Sequence, residues 1–262
     1  MPVHPSEMTG RPDRIQPKPL KLLREAGPVL KIGHRGAAAL APANTIQAVE
    51  AALAQGVDLV ELDVFGRPDR TLVLGHSRRE LGEEPVTLED VFAFLAETAP
   101  GVGLLADLKG AGWEQELVDA LRRHDLVERS VASTSNVTTL QTLGRLEPRL
   151  GRSRTYPRGR LYPGTHLVSI PVRGPVLAAL RLVLPLRIAG LVEDVGASAV
   201  TLKHEVVSRR VVERCHELGV AVLVWTVNDG GLFRRLDALG VDGVISDDPR
   251  LFQQEVGLHS PA

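Results

Sequence analysis

Glu61 and Asp63 lie one residue apart inside an otherwise apolar run of the 262-residue sequence. Side chains alternate faces along a β-strand, so both carboxylates would point to one side of a strand at residues 60–64. Two adjacent carboxylates repel each other, and one of them would stay protonated at neutral pH unless a cation neutralises both. We therefore interpret the pair as half of a metal site.

Asp107 and Lys109 repeat this alternation in a second apolar run, which brings a third carboxylate and an ammonium group to one face. Three carboxylates suit a hard cation such as Mg2+ or Ca2+, whereas a zinc site normally recruits His or Cys. The single cysteine, Cys215, excludes a thiolate cluster and an intrachain disulfide framework. The sequence thus predicts one divalent ion held by Glu61, Asp63 and Asp107.

Arg35 and Lys109 supply positive charge that a metal alone would not require. A phosphate group would require it, because charge-assisted hydrogen bonds to phosphate oxygens are strong and arginine can donate two at once. His34 and His76 can act beside a phosphate as general acid and general base, since histidine titrates near neutral pH. Together these residues predict the cleavage of a small-molecule phosphodiester.

Short apolar runs alternate with longer segments of helical period from residue 29 onward. The predicted strands are Val29–Gly33, Leu59–Val64, Gly103–Leu108, Ser130–Thr134, Leu150–Tyr156, Ala199–Lys203, Val220–Thr226 and Gly243–Ser246. The predicted helices are Thr45–Gln55, Thr87–Thr98, Trp113–His124, Val137–Leu146, Val176–Val192, Ser208–Leu218, Gly230–Leu239 and Pro249–Glu255. A hairpin at residues 71–76 is expected to extend the second strand.

Eight strand–helix units fit an α/β fold of the (β/α)8 TIM-barrel type, for which ~250 residues are typical. A doubly wound open sheet is the alternative, although no glycine-rich dinucleotide fingerprint follows the first strand. In a barrel the working residues lie where the strands end, because the loops after the strands share one face. That rule gathers the metal, phosphate and histidine candidates at one mouth.

Composition indicates an ordinary globular protein, with 44% hydrophobic and 24% charged residues. The formal net charge of -1 gives no reason to expect a nucleic-acid partner. The start of the chain lacks the pattern of a secretory signal, so a cytoplasmic location is expected. We expect a proline-rich N-terminal arm at 1–28, the catalytic barrel at 29–256 and a tail at 257–262.

Residues 176–192 are rich in leucine, isoleucine and valine but contain Arg181, Pro185 and Arg187. The stretch is shorter than the ~20 apolar residues that a spanning helix needs, so it is not predicted to cross a membrane. It could be a barrel helix, or an apolar entrance that makes peripheral contact with lipid. The oligomeric state is left open.

Several motifs resemble the glycerophosphodiester phosphodiesterase family over nearly all of residues 29–252. They are Ile32-Gly-His34-Arg35-Gly-Ala, Pro42-Ala-Asn44-Thr45, Gly56-Val-Asp-Leu-Val-Glu61-Leu-Asp63-Val, His76, Val224-Trp225-Thr226-Val-Asn228, and Gly240-Val-Asp-Gly-Val-Ile-Ser-Asp-Asp-Pro249. The resemblance implies a (β/α)8 barrel that hydrolyses diesters such as glycerophosphocholine to glycerol 3-phosphate and an alcohol. By motif, Glu61 and Asp63 would bind metal, His34 and His76 would be the acid and base, and Arg35 would bind phosphate.

The sequence departs from the family pattern at three places. Asp107 stands where the family usually has glutamate, and Ala43 replaces a glutamate before Asn44. About ten residues separate His76 from Thr87, where many members carry a long insertion, so the mouth is expected to be open. The first departure leaves the preference between Mg2+ and Ca2+ undecided.

Two alternatives remain beside this hypothesis. The apolar stretch at 176–192 would suit a lysophospholipase D, and a barrel that binds a phosphorylated ligand without turnover is the alternative from another class. Trp225 could line the pocket or belong to the core, and Lys109 could form an ion pair with Asp107 instead of contacting phosphate. Lys203 and His204 are weaker candidates for substrate contact. The sequence does not assign acid and base between the histidines, nor water or a glycerol hydroxyl as the attacking group.

Overall fold

A closed barrel forms the centre of the structure, a computed structural model that describes residues 20–24, 27–77, 79–82, 84–157 and 170–256. Within these residues, eight parallel strands are joined edge to edge, and the barrel closes where Ile32 pairs with Leu59 and Gly33 with Val60. The strands are β1 (Leu30–Gly33), β2 (Leu59–Gly66), β4 (Gly103–Leu108), β5 (Ser130–Thr134), β6 (Gly151–Tyr156), β7 (Ala199–Lys203), β8 (Ala221–Trp225) and β9 (Gly243–Ser246). The predicted (β/α)8 barrel is confirmed, and the open sheet is wrong.

A ninth strand, β3 (Leu72–Leu74), runs antiparallel to the end of β2 and forms the predicted hairpin. Val64 pairs with Leu74, and the turn closes through a hydrogen bond from the Arg67 amide to the Thr71 carbonyl at 2.9 Å. The amide of Gly75 then donates to the Asp63 carbonyl at 3.0 Å. This bond ties the residue before His76 to the acidic strand.

Helices follow the strands of the barrel in the described part of the chain. They are α1 (Ile46–Ala54), α2 (Leu88–Thr98), α3 (Glu114–Arg123), α4 (Val137–Leu146), α5 (Ile170–Glu193), α6 (Arg209–Glu217), α7 (Gly230–Leu239) and α8 (Arg250–Val256). Their first turns show why these segments begin where they do, because side chains satisfy the free amides there. Thr87 and Asp90 form a reciprocal capping box on α2, and the Ser208 hydroxyl accepts from the Val211 amide on α6.

Helix α5 differs from the others in length and exposure. It has 24 residues and begins six residues before the predicted start at Val176. Leu184, Ile188 and Val192 are buried on one side of it, whereas Leu182 and Leu186 are 71% and 84% exposed. No helix in the described residues is long and apolar enough to cross a membrane.

The barrel lumen is filled below the mouth. Its inner layer consists of the buried side chains of Ile32, Leu59, Leu105, Val131, Ala199, Ala221, Leu223 and Ile245. Leu20, Leu22 and Leu23 pack against this layer, and the Leu20 amide donates to the Glu128 carbonyl at 2.9 Å. The described part of the predicted arm therefore covers the end where the strands begin; residues 1–19, 25–26 and 257–262 lie outside the described residues. The boundaries given for arm, barrel and tail stay predictions.

Candidate active site

Strands β2 and β4 bring three carboxylates to one point at the mouth. Asp63 and Asp107 are paired residues in the parallel register, and Glu61 lies one step earlier on the same face of β2. Carboxylate oxygens of all three lie within 4.8 Å of one another. Glu61 and Asp63 are 4% and 1% exposed, so the predicted acidic cluster is assembled and largely removed from water.

The three acids are not neutralised equally. The pKa of Glu61 is raised from 4.5 to about 7, chiefly by burial; the charge of His34 opposes this rise, and the charges of Asp63 and Asp107 add to it. Burial also favours a higher pKa for Asp63, but Lys109, Arg35 and Asn44 outweigh it and lower that pKa. Glu61 is therefore the acid of this cluster whose charge is least compensated.

Lys109 lies between two of the acids. Its Nζ atom is 2.6 Å from Asp63 Oδ1 and donates a hydrogen bond to Asp107 Oδ2. Burial lowers the pKa of Lys109, but Asp107 and Asp63 outweigh burial and raise it, so the ammonium stays charged. The ion pair with Asp107 is thus present, and a phosphate contact by Lys109 would be made from this position.

The oxygen-only cluster fits a divalent cation on two grounds. Mg2+ and Ca2+ take carboxylate oxygens as ligands. In addition, the fixed cations Lys109 and Arg35 pair with Asp63 and Asp107 but not with Glu61, whose pKa stays raised by burial and by the two neighbouring acids. A bound cation would allow Glu61 to ionise at neutral pH.

The loop after β1 secures Asp63 from the other side. Asn44 donates from Nδ2 to Asp63 Oδ2 at 3.0 Å and accepts from the Asp63 amide at 3.0 Å. Arg35 Nε lies 3.0 Å from Asp63 Oδ2, and the Arg35 amide donates to Glu61 Oε2 at 2.8 Å. Arg35 and Asn44 both adopt positive φ angles, 51° and 60°, so this loop holds a tight shape around the acids.

His34 stands beside the cluster and is held by a residue from the far end of the chain. Its Nδ1 forms a 2.6 Å hydrogen bond with Asp247 Oδ1, and its Nε2 lies 3.8 Å from Glu61 Oε2. Asn228 fixes Asp247 in turn by donating to Oδ2 at 2.7 Å. Burial lowers the pKa of His34, but Glu61 and Asp247 outweigh it, so the pKa is raised.

His76 lies at the rim of the same cavity and is much more exposed than His34. Its side chain is 48% exposed against 17% for His34. Its Nδ1 is 3.7 Å from Glu80 Oε1, four residues further along the chain. The structure therefore brings both predicted histidines to one cavity but fixes only His34 by a short hydrogen bond to a carboxylate.

The cavity at the mouth has a volume of about 880 Å³. Its lining includes the predicted residues His34, Arg35, Glu61, His76, Asp107, Lys109, Lys203 and Trp225. Trp225 is half-buried and also packs on the inner layer of the barrel, so it belongs to both the pocket and the core. His204 is not among the lining residues.

The remaining histidines lie away from this cavity or outside the described residues. His124 bonds Glu89, and His216 lies 2.9 Å from Asp242 at the opposite end of the barrel. His166 lies outside the described residues.

Three residues of the site received no role from the sequence. All three lie within the motifs that resemble the family, and Asp247 follows the last strand. The rule that working residues lie where barrel strands end applies to Asp247 and could have identified it. Its partner could not be found that way, because the contact joins residues 213 positions apart.

Comparisons with known proteins agree along most of the chain. The sequence profile described as the Glycerophosphoryl diester phosphodiesterase family matches residues 34–92 and 77–251. A glycerophosphodiester phosphodiesterase of Caldanaerobacter subterraneus subsp. tengcongensis is 27% identical over 254 residues, which are 84% of this chain and 94% of the relative. Lysophospholipase D GDPD3 of Homo sapiens is 24% identical over 279 residues, covering 87% of this chain and 85% of the relative.

Solved structures share the architecture. A phosphodiesterase of Oleispira antarctica in complex with the product sn-glycerol-3-phosphate superimposes with a TM-score of 0.67 at 22% identity. The superposition covers 87% of this chain and 97% of the other. At this level of identity the likeness establishes the fold.

Proposed function

The chain belongs to the glycerophosphoryl diester phosphodiesterase family, and from this premise we propose a metal-dependent mechanism at the barrel mouth. The protein is a phosphoric diester hydrolase whose substrates are glycerophosphodiesters, cleaved to glycerol 3-phosphate and an alcohol. The alternative of a barrel that binds without turnover is therefore not supported. The proposal concerns which residues carry out the hydrolysis.

One observation carries the mechanism: three carboxylates from two strands meet beside a histidine that a fourth carboxylate holds. Glu61, Asp63 and Asp107 would hold one divalent ion, Mg2+ or Ca2+. Such an ion supplies positive charge next to the phosphate oxygens when it is bound. Arg35 and Lys109 add fixed positive charge at the same place, and their contacts with Asp63 keep both groups close to it.

His34 and His76 would divide the two proton transfers of the reaction. Asp247 accepts a hydrogen bond at Nδ1 of His34, which leaves Nε2 as the atom that exchanges a proton at the cavity. Asp247 is then a positioning residue, because it acts through the ring of His34. His76 would exchange its proton from the exposed rim, where an alcohol group can leave.

Trp225 would contact the substrate with the face of its ring that borders the cavity. The ring offers apolar area, and its buried Nε1 atom has no hydrogen-bond partner among the described residues. The absence of a nucleic-acid partner and the cytoplasmic location stay predictions.

An assay of glycerophosphocholine beside lysophosphatidylcholine, each with Mg2+, Ca2+ or a chelator, tests the proposal. We expect release of glycerol 3-phosphate from glycerophosphocholine, its loss with the chelator and its recovery when one of the two ions is added back. Full activity in the chelator would contradict the role of the three acids as metal ligands. Calorimetric titration of Mg2+ and Ca2+ into wild type and Glu61→Gln would report ion binding without turnover.

A lysophospholipase D is the second candidate, and the exposed side of α5 favours it. Leu182, Val183 and Leu186 are the exposed large hydrophobic side chains among the described residues, and Arg181 and Arg187 flank them. Apolar side chains with neighbouring arginines suit peripheral contact with an anionic lipid surface. The human relative that carries the name lysophospholipase D shares 24% identity with the chain.

The double variant Leu182→Gln/Leu186→Gln tests this second candidate. If α5 contacts lipid, the rate on lysophosphatidylcholine in vesicles should fall several-fold relative to the rate on glycerophosphocholine. An unchanged ratio of the two rates would leave hydrolysis of the water-soluble diester as the function.

A further inference from the structure

Next to the acids around the barrel, three consecutive strands present hydroxyl groups to the cavity. Ser133 on β5, Ser153 and Thr155 on β6, and Thr201 on β7 form this hydroxyl wall. Ser133 lies 2.7 Å from Thr155 and 3.3 Å from Thr201, and Thr201 lies 2.6 Å from Ser153. Ser133, Thr155 and Thr201 line the cavity, and Ser153 supports Thr201 from below.

The wall begins directly beside the acidic cluster. Ser133 is the paired residue of Asp107 in the parallel register of β4 and β5. A diester with its phosphate at the acids would therefore place one of its two substituents against the wall. The wall is built into the barrel, because Ser133, Ser153 and Thr201 are 1%, 0% and 6% exposed.

The number of hydroxyl protons in the wall determines what the wall can bind. Each hydroxyl carries one proton and two acceptor lone pairs. Each hydrogen bond inside the wall uses one proton and one lone pair. The three bonds among the four hydroxyls therefore leave one proton free to donate, whereas most of the lone pairs remain free to accept. A surface with surplus acceptors binds groups that donate hydrogen bonds, and an alcohol hydroxyl is such a group.

Charge near the wall argues against a quaternary ammonium group at this place. Trp225 offers the aromatic face that such a cation would need, but Lys203 Nζ already lies 5.8 Å from the centre of that ring. That ring face is therefore already occupied by a cation, whose charge is paired with Glu205 at 3.4 Å. A quaternary ammonium also has no N–H with which to satisfy the hydroxyls.

We infer that the hydroxyl wall is a polyol subsite, which binds a neutral, hydroxyl-bearing substituent of the diester whose phosphate lies at the acidic cluster. The inference rests on the proposed function and narrows its substrate class. The polyol is either the glycerol of the substrate or a polyhydroxy alcohol on the other side of the phosphate. An acyl chain on the glycerol would remove a hydroxyl that the wall can bind, so the subsite favours deacylated diesters.

The variants Thr201→Val and Thr155→Val remove one hydroxyl each with little change in shape. The substrates are glycerophosphoglycerol, with hydroxyls on both sides of the phosphate, glycerophosphocholine, with hydroxyls on one side, and bis(p-nitrophenyl) phosphate, with none. We expect each variant to raise the KM for glycerophosphoglycerol about fivefold, the effect of one ordinary hydrogen bond. The ratio of kcat/KM for glycerophosphoglycerol to that for bis(p-nitrophenyl) phosphate should fall correspondingly.

Glycerophosphocholine distinguishes the two sources of the polyol. If the wall binds the glycerol, the KM for glycerophosphocholine rises by the same factor. If the wall binds the alcohol, only the KM for glycerophosphoglycerol rises. Both results support the subsite, and an unchanged ratio of kcat/KM against bis(p-nitrophenyl) phosphate in both variants overturns it.

Thr139→Val is the matched control, because Thr139 is 1% exposed on α4 and its hydroxyl has no partner among the described residues. This variant should leave the KM for all three substrates unchanged. If wild type hydrolysed none of them, the proposed function would fail by itself. Calorimetric binding of glycerophosphoglycerol to wild type and Thr201→Val would then decide on the subsite, and equal Kd values would overturn it.

Discussion

Two histidine–aspartate pairs lie at opposite ends of the barrel, His34 with Asp247 at the mouth and His216 with Asp242 where the strands begin. The histidine nitrogen and the carboxylate oxygen are 2.6 Å apart in the first pair and 2.9 Å apart in the second. Asp242 is completely buried and also accepts from the amides of Arg24 and Val222, each at 2.7 Å. At that end of the barrel, two backbone amides and a histidine ring therefore compensate the charge of the Asp242 carboxylate.

The mouth pair is placed differently. The second nitrogen of His34 faces Glu61, an acid whose pKa burial raises to about 7, and the cavity lies beside both. A histidine–aspartate contact therefore does not by itself indicate catalysis. What separates the two ends is whether the surrounding charges are already compensated, as at Asp242, or still require a cation, as at Glu61.

Replacing the histidine of each pair by alanine should give the largest difference in activity between the two ends of the barrel. His34→Ala is expected to lower kcat/KM by about 10²–10⁴-fold, because a general acid or base is lost. His76→Ala should fall in the same range if His76 is the second proton-transfer group. His216→Ala changes the same residue type in the same kind of pair and should alter kcat/KM less than twofold in the folded protein. An equal loss of kcat/KM in His34→Ala and His216→Ala would contradict the view that only the pair at the mouth takes part in catalysis.

Replacing the least compensated acid should have the next largest effect. Glu61→Gln is expected to lower kcat by about 10²–10³-fold, because it removes a metal ligand and the charge stabilisation that depends on the metal. Glu147→Gln is the control, since Glu147 is also buried but is paired with Arg122 and Arg149 away from the mouth. Steady-state kinetics at saturating Mg2+ and Ca2+ would compare them. Wild-type kcat in Glu61→Gln would remove Glu61 from the ligand set.

The metal-free protein should lose stability as the pH rises. Glu61 has a pKa of about 7 in the folded protein and a usual value of 4.5. Below pH 4.5 it is protonated in both states, and above that value only the folded state retains the proton, so stability falls until about pH 7. The free energy of unfolding should drop by about 3 kcal/mol more in wild type than in Glu61→Gln.

Chemical denaturation at pH 4.5, 6 and 7.5 in a chelator would measure this difference. Saturating divalent ion should abolish the loss in wild type, because the cation supplies the missing compensation. If the free energy of unfolding changed with pH in the same way in wild type and Glu61→Gln, the charge of Glu61 would already be compensated, as that of Asp242 is.

The sequence predicted the charged residues at the barrel mouth better than it predicted the residues that hold them in place. Glu61, Asp63, Asp107 and Lys109 follow from alternation along two strands, a local rule, and the parallel register then aligns Asp63 with Asp107. The contacts His34–Asp247 and Asp63–Asn44 depend on how segments that are separated in the sequence meet in the fold. No local period encodes such contacts, so these two supports emerged only from the folded chain.

The same limit applies to α5 and to the hydroxyl wall. The periodicity of residues 176–192 indicated a helix but gave neither its start at Ile170 nor its exposed side. Ser133, Thr155 and Thr201 are ordinary strand residues in the sequence, and their meaning depends on the closure of the barrel around one cavity.

Replacement by asparagine should reduce activity at Asp247 and stability at Asp242. Asp247→Asn should lower kcat about 10- to 100-fold with little change in the free energy of unfolding, because the ring of His34 loses its charged support. The pKa of His34 is raised partly by Asp247, so the histidine-dependent limb of the pH–rate profile should move to lower pH. A profile that keeps its midpoint would deny Asp247 this positioning role.

Asp242→Asn should instead destabilise the fold by about 2 kcal/mol, because a buried carboxylate that accepts three hydrogen bonds is replaced by a neutral amide with one acceptor oxygen. Its kcat, measured at a temperature where the variant is folded, should stay within twofold of wild type. Urea denaturation and steady-state kinetics on both variants give the comparison. If Asp242→Asn lost activity without losing stability, the end of the barrel where the strands begin would be coupled to the chemistry, and compensation of charge would no longer distinguish the two ends.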